Sequence, residues 1–338
     1  MNELSWNAPR KRSRTLLIVE GHHEKDILFN KVITAFPEMN IKEDDIVVYK
    51  SNIYNLATKI VKEYGENWND MDIDLPWLIT KDNKDEILRK IDFKNIFLIF
   101  DYERHDPLYS ETIINTMMNY FSKVEDVGKL YLNYPMVESY LDLNGFPDDS
   151  YEDRKFSVTI KNGKVYKNAI KKRYAYKLTK FPEKIFEILT KRFHTAKAVS
   201  EAFVEKILQV SSMDEVDKLI CDVLKGNLID EDLKTFECQL KVLIKEMAFM
   251  ENNKSYNEFM RYVYKQIIVH NIKKANKIQK GVYNVENEAL LECYNGLNAQ
   301  EILDRQNKNS AMTCERHVWV LNTSVFIVPD YNSSLIFN

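Results

Sequence analysis

Two stretches of this chain are apolar enough to be buried on both faces, yet each ends on acids: Leu16-Leu17-Ile18-Val19-Glu20-Gly21 and Ile96-Phe97-Leu98-Ile99-Phe100-Asp101-Tyr102-Glu103. A strand that does not alternate apolar with polar residues needs cover above and below, the situation of a parallel strand in a helix-covered sheet. Open sheets of that kind build their sites outside the carboxyl ends of the strands. Glu20, Asp101 and Glu103 are therefore placed to converge, and three carboxylates with no matching cation beside them point to a divalent metal. Capping of the helices that follow, where a carboxylate meets free backbone N–H groups, competes as the explanation of each acid taken singly.

The chain around these strands alternates between the two periods. Helical spacing runs over Glu24 to Phe36 and stops at Pro37; Asp45 to Tyr49 reads as a strand; Ile53, Leu56, Ile60 and Val61 mark a helix that ends before Gly65. Residues 66 to 94 are less regular, with one short helix expected over Asp85 to Arg89. After the strand Ile96 to Phe100, a helix is predicted from Glu111 to Phe121 and a fourth strand from Lys129 to Asn133. Such β and α alternation predicts a largely parallel sheet flanked by helices. From Pro182 to Gln279 nearly everything has the helical period, and Val318 to Val328 returns to β character, able to pair with Phe156 to Tyr166. At 338 residues two domains are the natural expectation.

Net charge is only −3, but Arg154 to Lys197 holds fourteen Lys or Arg against Glu183 and Glu187. In that basic segment Lys167, Lys171, Lys172, Arg173 and Lys177 are interleaved with Tyr166, Tyr174 and Tyr176, a mixture that binds phosphate and stacks on unpaired bases. Lys273 and Lys274, in the tract Arg261 to Lys280, extend the candidate surface. A solvated charged face with tyrosines turned inward is the plain alternative. The four cysteines form no Cys-x-x-Cys pair, and Cys314-x-x-His317 alone is a weak zinc signal. No signal segment, spanning run or P-loop motif is found, so a cytoplasmic protein that does not enter a membrane and lacks its own P-loop ATPase is expected.

Residues 14 to 145 resemble a TOPRIM domain, the metal-binding α/β module of topoisomerases, primases and OLD-type nucleases. The marks are Val19-Glu20-Gly21 after an apolar strand with Glu24 four residues on, and Asp101-Tyr102-Glu103 in the place of the family's Asp-x-Asp, where Glu103 keeps the carboxylate with a longer reach. Tyr134-Pro-Met-Val-Glu-Ser-Tyr-Leu141 is similar to an Asn-Pro-x-x-Glu-x-Trp-Leu motif of the nuclease branch, which implies that Glu138 joins the site. The resemblance implies Glu20, Glu24, Asp101 and Glu103 as catalytic carboxylates, with Glu138 beside them as ligands for Mg²⁺ or Mn²⁺. His22, His23, Lys25, His105 and Asp106 lie close in sequence.

A small TOPRIM domain with a basic, mainly helical second half is similar to the effectors of two-gene antiphage systems of the PARIS type. That resemblance implies a toxic endonuclease, tRNA before DNA as substrate, and an ABC-type ATPase partner; a homodimer when active is expected because cutting enzymes with exposed sheet edges often pair. The division it implies is a basic arm over 1–14, a TOPRIM catalytic domain over 15–150 and a helical, basic domain with a terminal β segment over 151–338. An OLD-type DNA nuclease and a regulatory TOPRIM subunit that cleaves nothing are the alternatives.

Overall fold

The structure is a computed structural model that describes residues 14–83, 86–158, 163–312 and 316–337. The basic arm before residue 14 and Cys314 lie outside the described residues. Leu16 to Val19 and Phe97 to Phe100 are each wholly shielded from solvent, so the two apolar runs are covered on both faces as their composition requires. They form β1 (Arg14–Val19) and β3 (Phe93–Asp101), paired parallel with Val19 opposite Ile99. β2 (Ile46–Val48) adds to the free side of β1, and β5 (Gly128–Asn133) to the free side of β3 with Asn133 opposite Asp101. A two-residue strand, β4 (Ser122–Lys123), closes the edge antiparallel to β5, giving the order β2-β1-β3-β5-β4. It had no counterpart in the sequence reading because two exposed polar residues carry no pattern.

The connections are helical. α1 (His22–Ile27) continues into a π-helical turn over Leu28–Ile33 before Pro37, α2 (Ile53–Tyr64) ends at Gly65 with φ +84°, and α4 (Glu111–Tyr120) follows β3. The short helix of the irregular region is α3 (Leu75–Thr80), capped by Asp74 accepting from the Trp77 N–H at 3.1 Å. Residues 86–89, expected to be helical, have no regular structure. The chain therefore leaves β1 toward β2 on one side and leaves β3 toward β5 on the other. The reversal of direction falls between β1 and β3, which opens a crevice at their carboxyl ends.

Two compact units divide the chain, and they interleave in sequence: one takes residues up to Tyr140 with Ser150–Gly163 and Ile268–Asn338, the other Leu141–Asp149 with Lys164–Ile267. A single cut at residue 150 does not describe them, because the chain's end is bonded into the sheet unit. β6 (Lys155–Ser157) pairs antiparallel with β7 (His317–Trp319), Phe156 opposite Val318, and Tyr134 exchanges both backbone bonds with Leu321, at 2.8 and 2.9 Å. The β character beyond β7 was misleading. Asn322 accepts from the Val325 N–H at 3.1 Å and starts a helical turn that runs on into α14 (Ile327–Tyr331).

The second unit is helical: α5 (Gly163–Ile170), α6 (Tyr174–Thr179), α7 (Phe181–Glu187), α8 (Lys197–Ile207), α9 (Met213–Leu224), α10 (Asp230–Met247) and the first half of α11 (Tyr256–Lys280). Its core holds Phe181 stacked on Tyr256 at 5.2 Å between ring centroids and Phe203 edge-on to Phe236 at 5.4 Å. The rest of α11, α12 (Leu290–Asn295), α13 (Ala299–Ala311), α14 (Ile327–Tyr331) and α15 (Ser334–Phe337) belong to the sheet unit. Among the described residues no helix is long and apolar enough to cross a membrane.

Gly128 starts β5 at φ +109°, and a Cβ there would stand 2.6 Å from the Leu98 side chain and 3.1 Å from that of Ile96. Gly128→Ala is expected to lower unfolding free energy by about 1–3 kcal/mol through strain at positive φ and overpacking against β3. Urea unfolding of the two proteins measures it; equal stability would show that β5 is not held against β3 in this way.

Candidate carboxylate site

Glu20 leaves the end of β1 and its carboxylate turns toward β3, where Oε2 accepts the Asp101 backbone N–H at 3.2 Å. Gly21 has a φ of −140° that suits any residue, and a Cβ there would lie 2.7 Å from Glu24 Oε2, so a larger residue would displace that carboxylate. Glu24, on the first turn of α1, is thereby packed over the same turn and is buried. Just past the end of β3 Tyr102 is buried, its hydroxyl donating to Asn307 Oδ1 at 2.7 Å, while Asp101 and Glu103 on either side of it are partly exposed. Asn133 brings its amide nitrogen 3.5 Å from Asp101 Oδ1.

Two further contacts complete the group. Asn52, which caps α2 by accepting the Asn55 N–H at 3.0 Å, turns its amide to Glu103 Oε2 at 3.3 Å and to Asp106 Oδ2 at 2.7 Å. His23 Nε2 lies 2.6 Å from Glu138 Oε1, linking α1 to the turn after β5. Thus Glu20, Glu24, Asp101, Glu103 and Glu138 are all placed at the carboxyl ends of β1, β3 and β5 or on the turns that follow.

The charges are crowded. Burial, then Glu103, Glu24 and Asp106, push the Glu20 carboxyl up to about 8 against the opposing pull of the Asp101 N–H. Burial likewise raises Asp101 well above the usual carboxylate range, helped by Glu20, Glu24 and Glu138 and partly offset by Asn133. A dication would reverse this, since it favours the charged form of every acid in the group. The donors are all oxygen, which suits Mg²⁺ or Mn²⁺ and excludes a thiolate metal site. Among the described residues no three acidic, His or Cys side chains are close enough together to form a ready-made chelate. The fit rests on the donor chemistry and the crowded charge.

Other sequence candidates are placed less favourably. His22 and His105 are exposed, and Lys25 pairs with Glu43 at 2.8 Å. Lys274 was expected to face nucleic acid but is fully buried, its ammonium donating to the Tyr151, Glu152 and Arg154 carbonyls at 2.9, 2.6 and 3.0 Å and lying over the Trp319 ring. It shares a face of α11 with Asn271 and Ile278, three residues before it and four after and both buried, and a lysine there reaches the nearest carbonyls. Lys273 is half-buried. In the helical unit Arg173 is bound to the buried Asp142 at 2.6 Å, and Tyr174 donates to the Met247 carbonyl at 3.3 Å. Lys167, Lys171, Lys172 and Lys177 are exposed.

Asn52, Asn133 and Asn322 were not singled out from sequence. Asn322 donates to the Val137 carbonyl at 2.6 Å and to Ser139 Oγ at 3.2 Å, while Asn133 Oδ1 accepts the Ser324 N–H at 3.2 Å, so the chain's end holds the turn that carries Glu138. The one available signal was an asparagine inside the apolar run Val318 to Val328. No family model matches the chain, and no curated protein or solved structure matches it significantly.

A carboxyl raised from 4.5 to about 8 binds a proton in the folded state that the unfolded chain has released. The stability this confers is complete below about 4.5 and is lost as pH rises through about 8, so in EDTA the melting midpoint should fall across that window. Glu20→Gln should flatten the fall, and Mg²⁺ near pH 8 should raise the wild-type midpoint by several degrees by binding the folded state alone. Melts unmoved by both pH and Mg²⁺ would remove the group as a metal site.

Proposed function

We propose that the chain is a metal-dependent phosphodiesterase of the TOPRIM type, an endonuclease acting on RNA with tRNA as the favoured substrate. The observation that carries this reading is the convergence of Glu20 and Asp101 at the carboxyl ends of adjacent parallel strands, with Glu24, Glu103 and Glu138 all bearing electrostatically on one or the other. Structural carboxylates are ordinarily paired with cations; Glu20 and Asp101 are instead raised by burial and by the acids beside them.

In this reading Glu20, Asp101 and Glu103 hold the Mg²⁺ or Mn²⁺, with Glu24 and Glu138 completing the carboxylate set. When bound, the ion supplies Lewis acidity toward a phosphoryl oxygen and lowers the pKa of a water. The chain's own residues do the positioning. Asn52 fixes the direction of Glu103 and Asp106, Asn133 restrains Asp101, and His23 holds Glu138 at the mouth. The apolar runs of β1 and β3 behind them are fully buried and give the carboxylates a rigid mount, as in-line attack on a phosphodiester demands.

A polyanion needs cations away from the acids. Lys167, Lys171, Lys172 and Lys177 on the helical unit supply them, with Tyr176 among them for stacking, whereas Arg173 and Lys274 serve structure. By resemblance, the enzyme is the toxic effector of an antiphage system, restrained by an ABC-type ATPase subunit. It is dimeric when active.

Purified protein incubated with total tRNA in Mg²⁺ or Mn²⁺ is expected to cut it, with loss of cutting in EDTA, in Glu20→Ala and in Asp101→Ala. Nicking of supercoiled plasmid with tRNA left whole would transfer the reading to an OLD-type DNA nuclease. Retained, metal-dependent cutting by both variants would sink the site assignment. If the wild type is inert alone and on reconstitution with an ATPase partner, the chain is a non-cleaving subunit.

Reversing two charges, Lys171→Glu with Lys172→Glu, should weaken RNA binding by roughly tenfold at moderate salt and reduce the slope of log K against log salt by about 2. Filter binding at several salt concentrations reads both. An unchanged slope would show that these lysines do not meet phosphate.

A further inference from the structure

A cavity lies away from the carboxylates, in the sheet unit, between β5, the end of α4 and the segments that follow α11. It encloses about 560 Å³, within the range of small-molecule sites. Its walls have a definite chemistry. Phe121, Tyr131, Tyr134, Tyr294 and Phe326 give flat apolar surface. Asn119, Asn298 and Gln300 give amide edges. Gln300 donates through Nε2 to Asn115 at 3.1 Å and Asp304 at 2.8 Å, but its buried Oε1 meets no donor in the protein. A buried acceptor without a donor is costly, and a ligand N–H or O–H or a trapped water is the usual remedy.

Charge narrows the class of ligand. The cavity's one acid, Asp330, and its one cation, Lys129, are 2.6 Å apart and bonded to each other, and Tyr131 also donates to Asp330 Oδ2. The lysine is thus neutralised and leaves no surplus positive charge to hold a phosphate. A carboxylate fixed from behind by an ammonium and a phenol is, by contrast, suited to the hydroxyls of a ribose or to an exocyclic amine. Aromatic walls, amide edges and an anchored carboxylate are together the recognition chemistry of a base with its sugar.

We propose that this cavity binds the neutral nucleoside moiety, base and ribose without a bound phosphate, with Asp330 and Gln300 as its polar contacts and the tyrosines as its walls. The moiety has two sources: a free nucleoside, or an unpaired nucleotide of a strand whose phosphate stays outside. The site does not depend on the nuclease reading, since no carboxylate of the metal group lines it.

The test is binding in EDTA, where no cleavage interferes, with the intact chain and its tyrosine fluorescence or ligand-observed NMR as readout. Adenosine, guanosine, cytidine and uridine are titrated to about 10 mM, the range that captures weak small-ligand affinities, and a short single-stranded RNA is titrated separately. Ala299→Trp is the blocking variant, because Ala299 lines the cavity yet is exposed at the start of α13, where a larger side chain enters the opening without crossing the core. Asp330→Asn is the second variant; it keeps the shape but removes the charge and turns one acceptor oxygen into an N–H donor.

Saturable binding of at least one nucleoside, weakened at least tenfold by Ala299→Trp and also weakened by Asp330→Asn, is the expected result for a free ligand. Binding of the RNA alone, weakened by both variants and untouched by Glu20→Ala, assigns the cavity to a strand nucleotide. Failure of all four nucleosides and of the RNA to bind, or binding indifferent to both variants while each melts as the wild type does, overturns the proposal. Either failure leaves the metal-dependent cutting of the preceding section untested and intact.

Discussion

Repulsion between carboxylates that are held together by a rigid sheet is the constraint around which the sheet unit is organised. β1 and β3 are buried along their length, so their carboxyl ends cannot drift apart, and Glu20 and Asp101 stay adjacent whatever their charges prefer. Neutral groups and one imidazole bear part of the burden: the Asp101 N–H on Glu20, Asn133 beside Asp101, Asn52 on Glu103 and Asp106, and His23 on Glu138. The cations closest in sequence are engaged elsewhere, Lys25 with Glu43 and Arg104 over the Tyr109 ring at 3.9 Å. A hydrogen bond from an amide orients an acid without cancelling its charge, so these contacts preserve the geometry and leave the electrostatic conflict in place.

That arrangement draws on residues from the far end of the chain. The turn bearing Glu138 is bonded by Asn322, Asn133 is bonded by the Ser324 backbone, and Asn271 accepts both the Tyr151 hydroxyl and the Asn322 N–H at 2.8 Å. Every one of these polar groups is buried. Networks of this kind are rigid when each member is satisfied and expensive when one is removed. The discontinuous unit follows from them: the last seventy or so residues return to the sheet, and their hydrogen bonds hold the turn that carries Glu138.

How much of this was legible in the chain depended on whether the information was local. Unalternating runs such as Leu16 to Val19 announce buried parallel strands directly, and an acid at the end of each is visible in the same glance. Gly65 and Pro37 gave correct helix limits because their backbone geometry is intrinsic. The supporting asparagines were illegible, since Asn52 reads as an ordinary helix cap and its second role depends on where β3 ends. Lys274 failed for the opposite reason: charge predicts exposure on average, and only the fold shows that this helix face is covered and that three carbonyls await the ammonium. The run Val318 to Val328 carries β composition, but Asn322 and Ser324 redirect the backbone through hydrogen bonds that composition does not register.

The acid group and the cavity share a wall. Tyr102 stands between Asp101 and Glu103 in sequence and packs against Tyr134, a cavity residue, with ring centroids 5.1 Å apart. The backbone of Tyr134 is fixed by its two bonds to Leu321, so any ligand effect passing this way acts through ring positions rather than strand movement. Tyr102 is fixed as well, since its hydroxyl donates to Asn307 on α13, the helix whose first residues line the cavity. Occupancy of the cavity can change the affinity of the acids for a cation only by as much as the ligand distinguishes two positions of these rings. Two fixed rings in a packed wall differ little between such positions, so the geometry offers little coupling between the cavity and the acids.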